Sequence, residues 1–180
     1  DRVLALRRRV VALGAPEEVF VPPVLAQLYG QGLFAQHDGH HPGAARVFSG
    51  VDGSIFYTFN GDSAGDYLGC SVSDAGDVNG DGYADLIVGA NVTPSGSARV
   101  FSGQDGSILY TFNGDSAGDQ LGQSVSGAGD VNGDGVADLI AGARGLARVF
   151  SGQDGSILYT FNYYPAELGT SVSGAGDVDG

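Results

Sequence analysis

Two acidic loops in this sequence have the residue types and the spacing of a binding site for a hard cation. The first runs from Asp77 to Asp85 and the second from Asp130 to Asp138. Each carries oxygen-bearing side chains at positions 1, 3, 5 and 9, with a glycine at position 6. Carboxylate, amide and carbonyl oxygens are the ligands that calcium prefers in proteins. The spacing therefore predicts one calcium site in each complete loop.

Each predicted site uses four side-chain oxygens and the backbone carbonyl of position 7. A third copy of the loop begins close to the end of the chain. The predicted metal ligands are Asp77, Asn79, Asp81, Tyr83 and Asp85 in the first loop, Asp130, Asn132, Asp134, Val136 and Asp138 in the second, and Asp177 and Asp179 in the third. Three carboxylates in one loop repel each other unless a cation is bound. The alternative is a tight turn rich in Asp, Asn and Gly without metal, and the repetition of the set favours metal.

The residues that follow position 9 decide between two kinds of calcium loop. A helix–loop–helix site needs a carboxylate at position 12 and a helix on either side. Position 12 is Val88 in the first loop and Ala141 in the second, and neither side chain binds a cation. Both loops continue into short apolar runs that are typical of strands. The pattern therefore favours a nine-residue loop within a β-hairpin.

The loops belong to a longer repeat with a period of about 50 residues. The segment Ala-Arg-Val-Phe-Ser-Gly starts at Ala45 and returns at Ala98 and Ala147. Short runs of strand-forming residues separated by Gly, Asn and Asp turns predict antiparallel β-structure. The strands expected within one period are 84–89, 97–101, 107–112 and 121–126. Four strands in about 50 residues is the size of a β-propeller blade.

The repeat resembles a known family in specific positions. The residues Leu121-Gly122-x-Ser124-Val125, followed by the loop at Asp130 and by Asp138-Leu-Ile-x-Gly-Ala, are similar to the FG-GAP repeat. That repeat builds the propeller of integrin alpha subunits and of many secreted bacterial proteins. The resemblance covers residues 45–180. It implies an all-β fold, a partial β-propeller of four-stranded antiparallel blades, with calcium in hairpin loops on one rim and ligands bound by other loops.

Two positions depart from the family pattern. The first aromatic residue of the motif is leucine in all three copies, Leu68, Leu121 and Leu168. The final proline is replaced by Asn91 or Arg144. These changes are mild, and they leave the expected fold unchanged.

The net charge narrows the classes of partner. The chain has a formal net charge of −13, and residues 1–44 hold as many arginines as acids, so the whole excess lies in the repeats. An acidic surface argues against nucleic acid and anionic membranes as partners, and it favours cations. No apolar stretch is long enough to cross a bilayer, so membrane insertion is not expected.

Residues 1–44 do not match the repeat, and we divide the chain into this segment and the repeats at 45–180. The apolar positions of residues 2–11, in a basic context, favour a short helix there. Residues 45–60 supply only the two later strands of a blade, so this segment is a divergent half-blade, a linker or unrelated sequence. His37, His40 and His41 indicate either a transition-metal site or a solvated loop, and the solvated loop is favoured.

No enzymatic site is expected in this chain. There is no lysine, the repeats contain no histidine, and the acids recur as a set, whereas a catalytic site occurs once. Cys70 lacks a patterned histidine partner. The expected function is a calcium-binding module, extracellular or at the cell surface, for adhesion or for binding an unknown protein or glycan ligand. The alternatives are a non-catalytic part of a larger secreted hydrolase or lyase, and a structural spacer.

The number of repeats predicts an incomplete ring. The sequence accounts for fewer than three full blades, whereas closed propellers have about four to eight. We therefore expect apolar end faces, and as their partners either further repeats of the same chain or a second copy. The absence of methionine and the interrupted third loop are consistent with a piece of a longer protein.

Overall fold

The computed structural model describes residues 3–7, 9–14, 32–36, 43–50, 52–63, 65–162 and 168–176. Side-chain environments are given for the described residues from 43 onward. The strands are β1 Val3–Arg7, β2 Arg9–Gly14, β3 Gly32–Gln36, β4 Ala44–Phe48, β5 Ile55–Asn60, β6 Ser71–Gly76, β7 Asp85–Ala90, β8 Ser97–Phe101, β9 Ile108–Asn113, β10 Ser124–Gly129, β11 Asp138–Ala143, β12 Leu146–Phe150 and β13 Ile157–Asn162. Among the described residues there is no helix long and apolar enough to cross a membrane.

The strands form four sheets in which the order in space follows the order in the chain. The sheets are β1-β2, β3-β4-β5, β6-β7-β8-β9 and β10-β11-β12-β13. The two four-stranded sheets are antiparallel throughout. This is the blade architecture that the repeat predicted, so the all-β fold class of a partial β-propeller is confirmed.

The two complete blades share the same strand register. Residue Val88 of β7 pairs with Arg99 of β8, and Ala141 of β11 pairs with Arg148 of β12 at the same place. Each blade has one irregularity just before the acidic loop and another between its third and fourth strands. The second strands of the blades are largely buried along their length, which explains why their sequences are continuous apolar runs without alternation.

Glycine and leucine residues let consecutive blades approach closely. Leu68 and Leu121, which replace the aromatic residue of the family pattern, are 1% and 0% exposed. A Cβ atom on Gly89 would overlap the carbonyl oxygen of Gly122, which opens the next blade. That same carbonyl accepts a hydrogen bond of 2.7 Å from the hydroxyl of Ser71. Consecutive blades are therefore packed through close backbone contacts as well as through side chains.

Residues 168–176 lie along the first strand of the second complete blade. The backbone N–H of Val172 donates to the hydroxyl of Ser124 at 3.0 Å, and that of Gly174 donates to the hydroxyl of Ser126 at 3.3 Å. This segment follows the fourth strand of its blade just as 121–129 follows β9. The expected strand over 121–126 begins later than predicted, at Ser124, and Leu121 forms an isolated bridge with Gly96.

The beginning of the chain differs from the expectation. The helix predicted over residues 2–11 is wrong, because β1 and β2 form an antiparallel hairpin in which Val3 pairs with Gly14 and Arg7 with Arg9. Pairing between two short segments that each contain valine overrides the weak helical pattern. The three-stranded sheet takes β3 from within residues 1–44, which supplies one of the two missing early strands. His37, His40 and His41, for which a solvated loop is favoured over a transition-metal site, lie outside the described residues.

Contacts within the chain define two compact units. One unit consists of Asp1–Phe34 and Arg46–Thr58, and the other of Ala35–Ala45 and Phe59–Gly180. The second unit contains both complete blades and both complete acidic loops. The division between residues 44 and 45 stays a prediction.

Candidate metal centre

Each acidic loop connects the first and second strands of a blade. The first loop lies between β6 and β7, and it starts after the irregularity at Gly76. Gly76, Gly80 and Gly82 have φ angles of 72°, 74° and 86°, which only glycine adopts without strain. These three left-handed positions curl the backbone, so that several of its N–H groups point toward the inside of the loop.

The carboxylate of Asp77 accepts hydrogen bonds from the backbone on the inside of the loop. Its Oδ1 accepts hydrogen bonds from the backbone N–H groups of Gly80 at 2.8 Å and Asp81 at 3.1 Å. Its Oδ2 accepts one from Gly82 at 2.9 Å. Three N–H donors thus converge on one carboxylate, and they stabilise its negative charge. The first predicted ligand is therefore held in place by the backbone of its own loop.

Asn79 and Asp81 are hydrogen-bonded to each other and to the backbone of the loop. The Oδ1 of Asn79 accepts from the N–H of Asp81 at 2.9 Å, and its Nδ2 donates to Oδ2 of Asp81 at 2.8 Å. The Oδ1 of Asp81 accepts from the N–H of Tyr83 at 2.8 Å. The Tyr83 side chain is 54% exposed, which leaves its backbone as its contribution to the loop. Positions 1, 3 and 5 are thus linked by short hydrogen bonds.

Asp85, at position 9, is placed differently from the other acids. It is 1% exposed, and its Oδ2 accepts from the N–H of Val78 at 2.9 Å, within the loop. Its Oδ1 accepts from the N–H of Gly103 at 3.0 Å, in the turn between β8 and β9. Burial raises the pKa of Asp85, the two backbone hydrogen bonds oppose that rise, and the charges of Asp81 and Asp77 add to it. The carboxylate therefore lies in the field of two like charges.

The second loop repeats these contacts with nearly the same distances. Asp130 accepts from the N–H groups of the glycines at 133 and 135 at 2.7 Å and 2.8 Å. The amide of Asn132 donates to Asp134 at 2.8 Å. Asp138 is 0% exposed, and it accepts from Val131 at 2.8 Å and from Gly152 at 3.0 Å. The backbone N–H of Val136, whose carbonyl is a predicted metal ligand, donates to Asp134 at 2.8 Å. The same sequence pattern thus gives the same hydrogen-bonded loop twice.

The donor set suits a hard cation, although the side chains do not converge on one point. Each loop offers carboxylate, amide and carbonyl oxygens, the chemistry that calcium prefers. No three His, Cys, Asp or Glu side chains among the described residues are grouped closely enough to hold a metal ion. At position 9, as at position 1, both carboxylate oxygens accept hydrogen bonds from backbone N–H groups. The predicted ligands of the third loop, Asp177 and Asp179, lie outside the described residues.

Two neighbours of the first loop were not predicted from the sequence. The hydroxyl of Ser102, which is 2% exposed, lies 3.4 Å from Oδ2 of Asp81. The backbone of Gly103 lies so close to the loop that a Cβ atom there would overlap the carbonyl oxygen of Ala84, and its N–H reaches Asp85. The signal was present in the recurring segment Ser-Gly-Gln-Asp-Gly-Ser, which starts at Ser102 and again at Ser151. Nothing in its composition indicated that it packs against the acidic loop.

Comparison with known proteins connects this geometry to a family. Residues 77–141 match the sequence profile of the FG-GAP-like repeat, and the matched segment includes both complete acidic loops and the blade strands between them. This part of the chain therefore carries FG-GAP-like repeat sequence. These repeats account for the four-stranded sheets and for the position of the acidic loops between the first two strands of each.

Part of the chain is also similar to integrin alpha subunits. The chain is 37% identical to integrin alpha-V of Gallus gallus over 79 residues, which is 43% of this chain and 7% of that protein. It is 33% identical to integrin alpha-PS5 of Drosophila melanogaster over 91 residues, 45% of this chain and 9% of that protein. Against integrin alpha-2 of Mus musculus it is 32% identical over 87 residues, 42% of this chain and 7% of that protein. The matched segments thus span less than a tenth of these relatives.

Proposed function

We propose that this chain is a calcium-binding repeat module of an extracellular or cell-surface β-propeller, which acts in adhesion or in binding a protein or glycan ligand. The observation that carries the proposal is the doubled acidic loop, which has the same donors, the same glycine positions and the same hydrogen bonds in two consecutive blades. The similarity to integrin alpha subunits supports the same proposal.

The residues that would hold the ion are the acids and amides on the inside of each loop. In the first loop these are Asp77, Asn79 and Asp81, with the carbonyl of Tyr83 and the carboxylate of Asp85 completing the set. A bound cation supplies positive charge to a group of carboxylates that otherwise repel each other. The protein's contribution is a loop whose curl is already fixed by glycines at its left-handed positions.

The charge of the chain fits an environment that contains millimolar calcium. The repeats carry the whole net charge of −13, and each complete loop concentrates three of its carboxylates within nine residues. Calcium sites in extracellular modules have dissociation constants of about 10⁻⁴ to 10⁻³ M. We therefore expect two weak sites, filled outside the cell and empty at cytosolic calcium concentrations.

Calorimetric titration with calcium tests this proposal. The wild-type chain should bind two ions, and Asp81→Ala and Asp134→Ala should each remove one. Asp105→Ala is the matched control, because Asp105 is an exposed aspartate whose carboxylate caps the turn of its own hairpin through the N–H of Ser107. That variant should keep both sites. No heat of binding at millimolar calcium in the wild type would reject the calcium proposal.

Thermal unfolding gives an independent measurement of the same proposal. A ligand that binds only the folded chain stabilises it by about 2.7 kcal/mol when its concentration is 100 times the dissociation constant. We expect the Tm to rise from chelator to excess calcium, and to rise by less in Asp81→Ala. An equal Tm in chelator and in calcium would contradict binding to the folded loops.

A further inference from the structure

In each blade, one buried carboxylate accepts hydrogen bonds from both the acidic loop and a second turn. Asp85 connects its own loop, through the N–H of Val78, to the turn between β8 and β9, through the N–H of Gly103. Asp138 makes the same connection between Val131 and Gly152. Both carboxylates are almost completely inaccessible to solvent, so water does not replace either N–H donor.

We propose that Asp85 and Asp138 hold the acidic loop and the neighbouring turn together as one unit, with or without a bound cation. This role is distinct from that of Asp77 and Asp81, which are partly exposed and accept their backbone hydrogen bonds from within the loop. It also differs from a purely metal-ligating role, which contributes nothing to stability when calcium is removed. The inference concerns the site of the proposed function, and its decisive measurement is made in chelator.

The close approach of the turn supports this role. Gly103 and Gly152 sit so near the residue before the aspartate that a Cβ atom would overlap the carbonyl oxygen of Ala84 or Ala137. Glycine is therefore required at both positions if the N–H is to reach the carboxylate. The turn itself is closed by its own hydrogen bonds, from the N–H of Ser102 to the carbonyl of Ser107 at 2.8 Å in the first blade. The aspartate thus connects two segments that are each already folded.

Removal of the carboxylate acceptor should therefore lower the free energy of unfolding. A buried N–H that loses its partner costs the full desolvation penalty of the group, and hydrogen bonds to a charged acceptor are stronger than neutral ones. Replacing the carboxylate of Asp85 by alanine leaves the buried N–H of Val78 and the partly buried N–H of Gly103 without an acceptor. Replacing it by asparagine keeps one acceptor oxygen and turns an amide N–H toward the other donor.

Urea unfolding in chelator of Asp85→Ala, Asp85→Asn and Asp81→Asn tests the proposal. We expect the folding equilibrium constant to fall by at least about tenfold in Asp85→Ala, with a smaller fall in Asp85→Asn. Asp81→Asn is the matched control, because it removes one charge from the same loop without removing an acceptor from Val78 or Gly103. It replaces one acceptor oxygen of an exposed hydrogen bond by an amide N–H and also relieves repulsion, so we expect it to change stability much less than Asp85→Ala does. The pair Asp138→Ala and Asp134→Asn repeats the comparison in the second blade.

If Asp85→Ala does not fold, amide hydrogen exchange in the wild type and in Asp85→Asn tests the proposal. In the wild-type chain in chelator, the amides of Val78 and Gly103 should exchange more slowly than amides in exposed turns, for example that of Asp105. In Asp85→Asn, which keeps one acceptor oxygen, this protection should fall at one or both of those amides and be retained at Val131 and Gly152. Unchanged stability of Asp85→Ala in chelator, or fast exchange at Val78 and Gly103 in the wild type, would overturn the proposal. A failure of calcium binding would leave these expectations intact.

Discussion

The aromatic ring of Phe112 in β9 stacks on that of Phe150 in β12, with ring centroids 4.0 Å apart. The preceding repeat makes the same contact, with Phe59 on Phe101 at 4.0 Å. A phenylalanine from the last strand of one sheet therefore packs on a phenylalanine from the third strand of the next. The equivalent residue in β13, Phe161, is 50% exposed, whereas Phe59 and Phe112 are each 7% exposed.

Truncating these phenylalanines should have unequal effects on stability. Phe112→Ala removes a buried ring and leaves a cavity, for which a cost of about 3–5 kcal/mol is typical. Phe161→Ala removes a half-exposed ring from the same position of the next repeat, and we expect at most about 1 kcal/mol. Urea unfolding at low protein concentration measures both. Equal decreases in the free energy of unfolding for the two variants would show that the stacking of Phe112 on Phe150 does not stabilise the blades.

The exposed fourth strand of the last described blade should promote self-association. Tyr159 and Phe161 are each 50% exposed. Their equivalents one blade earlier are better covered, since Phe112 is buried and the hydroxyl of Tyr110 donates to the carbonyl of Gln153 at 3.0 Å. An exposed apolar patch favours association. We expect sedimentation to show concentration-dependent oligomers that diminish in Phe161→Ser. A strictly monomeric chain over a wide concentration range contradicts this.

Substitution of Gly89 should disrupt the packing of the two complete blades. A Cβ atom there would overlap the carbonyl oxygen of Gly122, and a backbone atom does not move aside as a side-chain end does. Gly89→Ala should therefore destabilise the chain by more than about 2 kcal/mol. Gly118→Ala is the control, because Gly118 has a φ of 91° and open space around its Cβ position, so only backbone strain of about 1 kcal/mol is expected. Similar unfolding midpoints for the two variants would show that this close approach is unimportant.

Acid should weaken an ion pair that joins consecutive repeats. The guanidinium of Arg148 in β12 pairs with Asp115, which follows β9. The hydrogen bond from Arg148, together with its charge, holds the pKa of Asp115 below its ordinary value. A lowered folded-state pKa contributes stability that is fully present above the unfolded pKa of about 3.9 and is lost as the pH falls through the folded value.

Asp115→Asn tests the linkage. The difference in Tm between the wild type and this variant should be constant above about pH 5 and should shrink as the pH falls below about 4. Asp62→Asn should behave alike, because Arg99 pairs with Asp62 in the same way and lowers its pKa. A difference in Tm that persists unchanged down to about pH 2 is incompatible with this interpretation.

Local sequence determined the repeat, the number of strands in each period and the donor set of each acidic loop. These features depend on residues that are neighbours in the chain. The run from Asp85 to Ala90 forms a strand because it is apolar and ends at turn residues, and the curl of the loop follows from its own glycines, such as Gly80 and Gly82. The hairpin setting of the loop could therefore be predicted from the sequence alone.

The tertiary structure decided where the side chains point and what covers them. The direction of the Asp85 carboxylate depends on Gly103, which is 18 residues away and belongs to a different hairpin. The hairpin β1-β2 replaced an expected helix because pairing with another segment outweighed a weak local preference. Phe112 and Phe161 have the same local sequence, Ile-Leu-Tyr-Thr-Phe-Asn, yet only one of them is buried, because burial is set by the blade that packs against it.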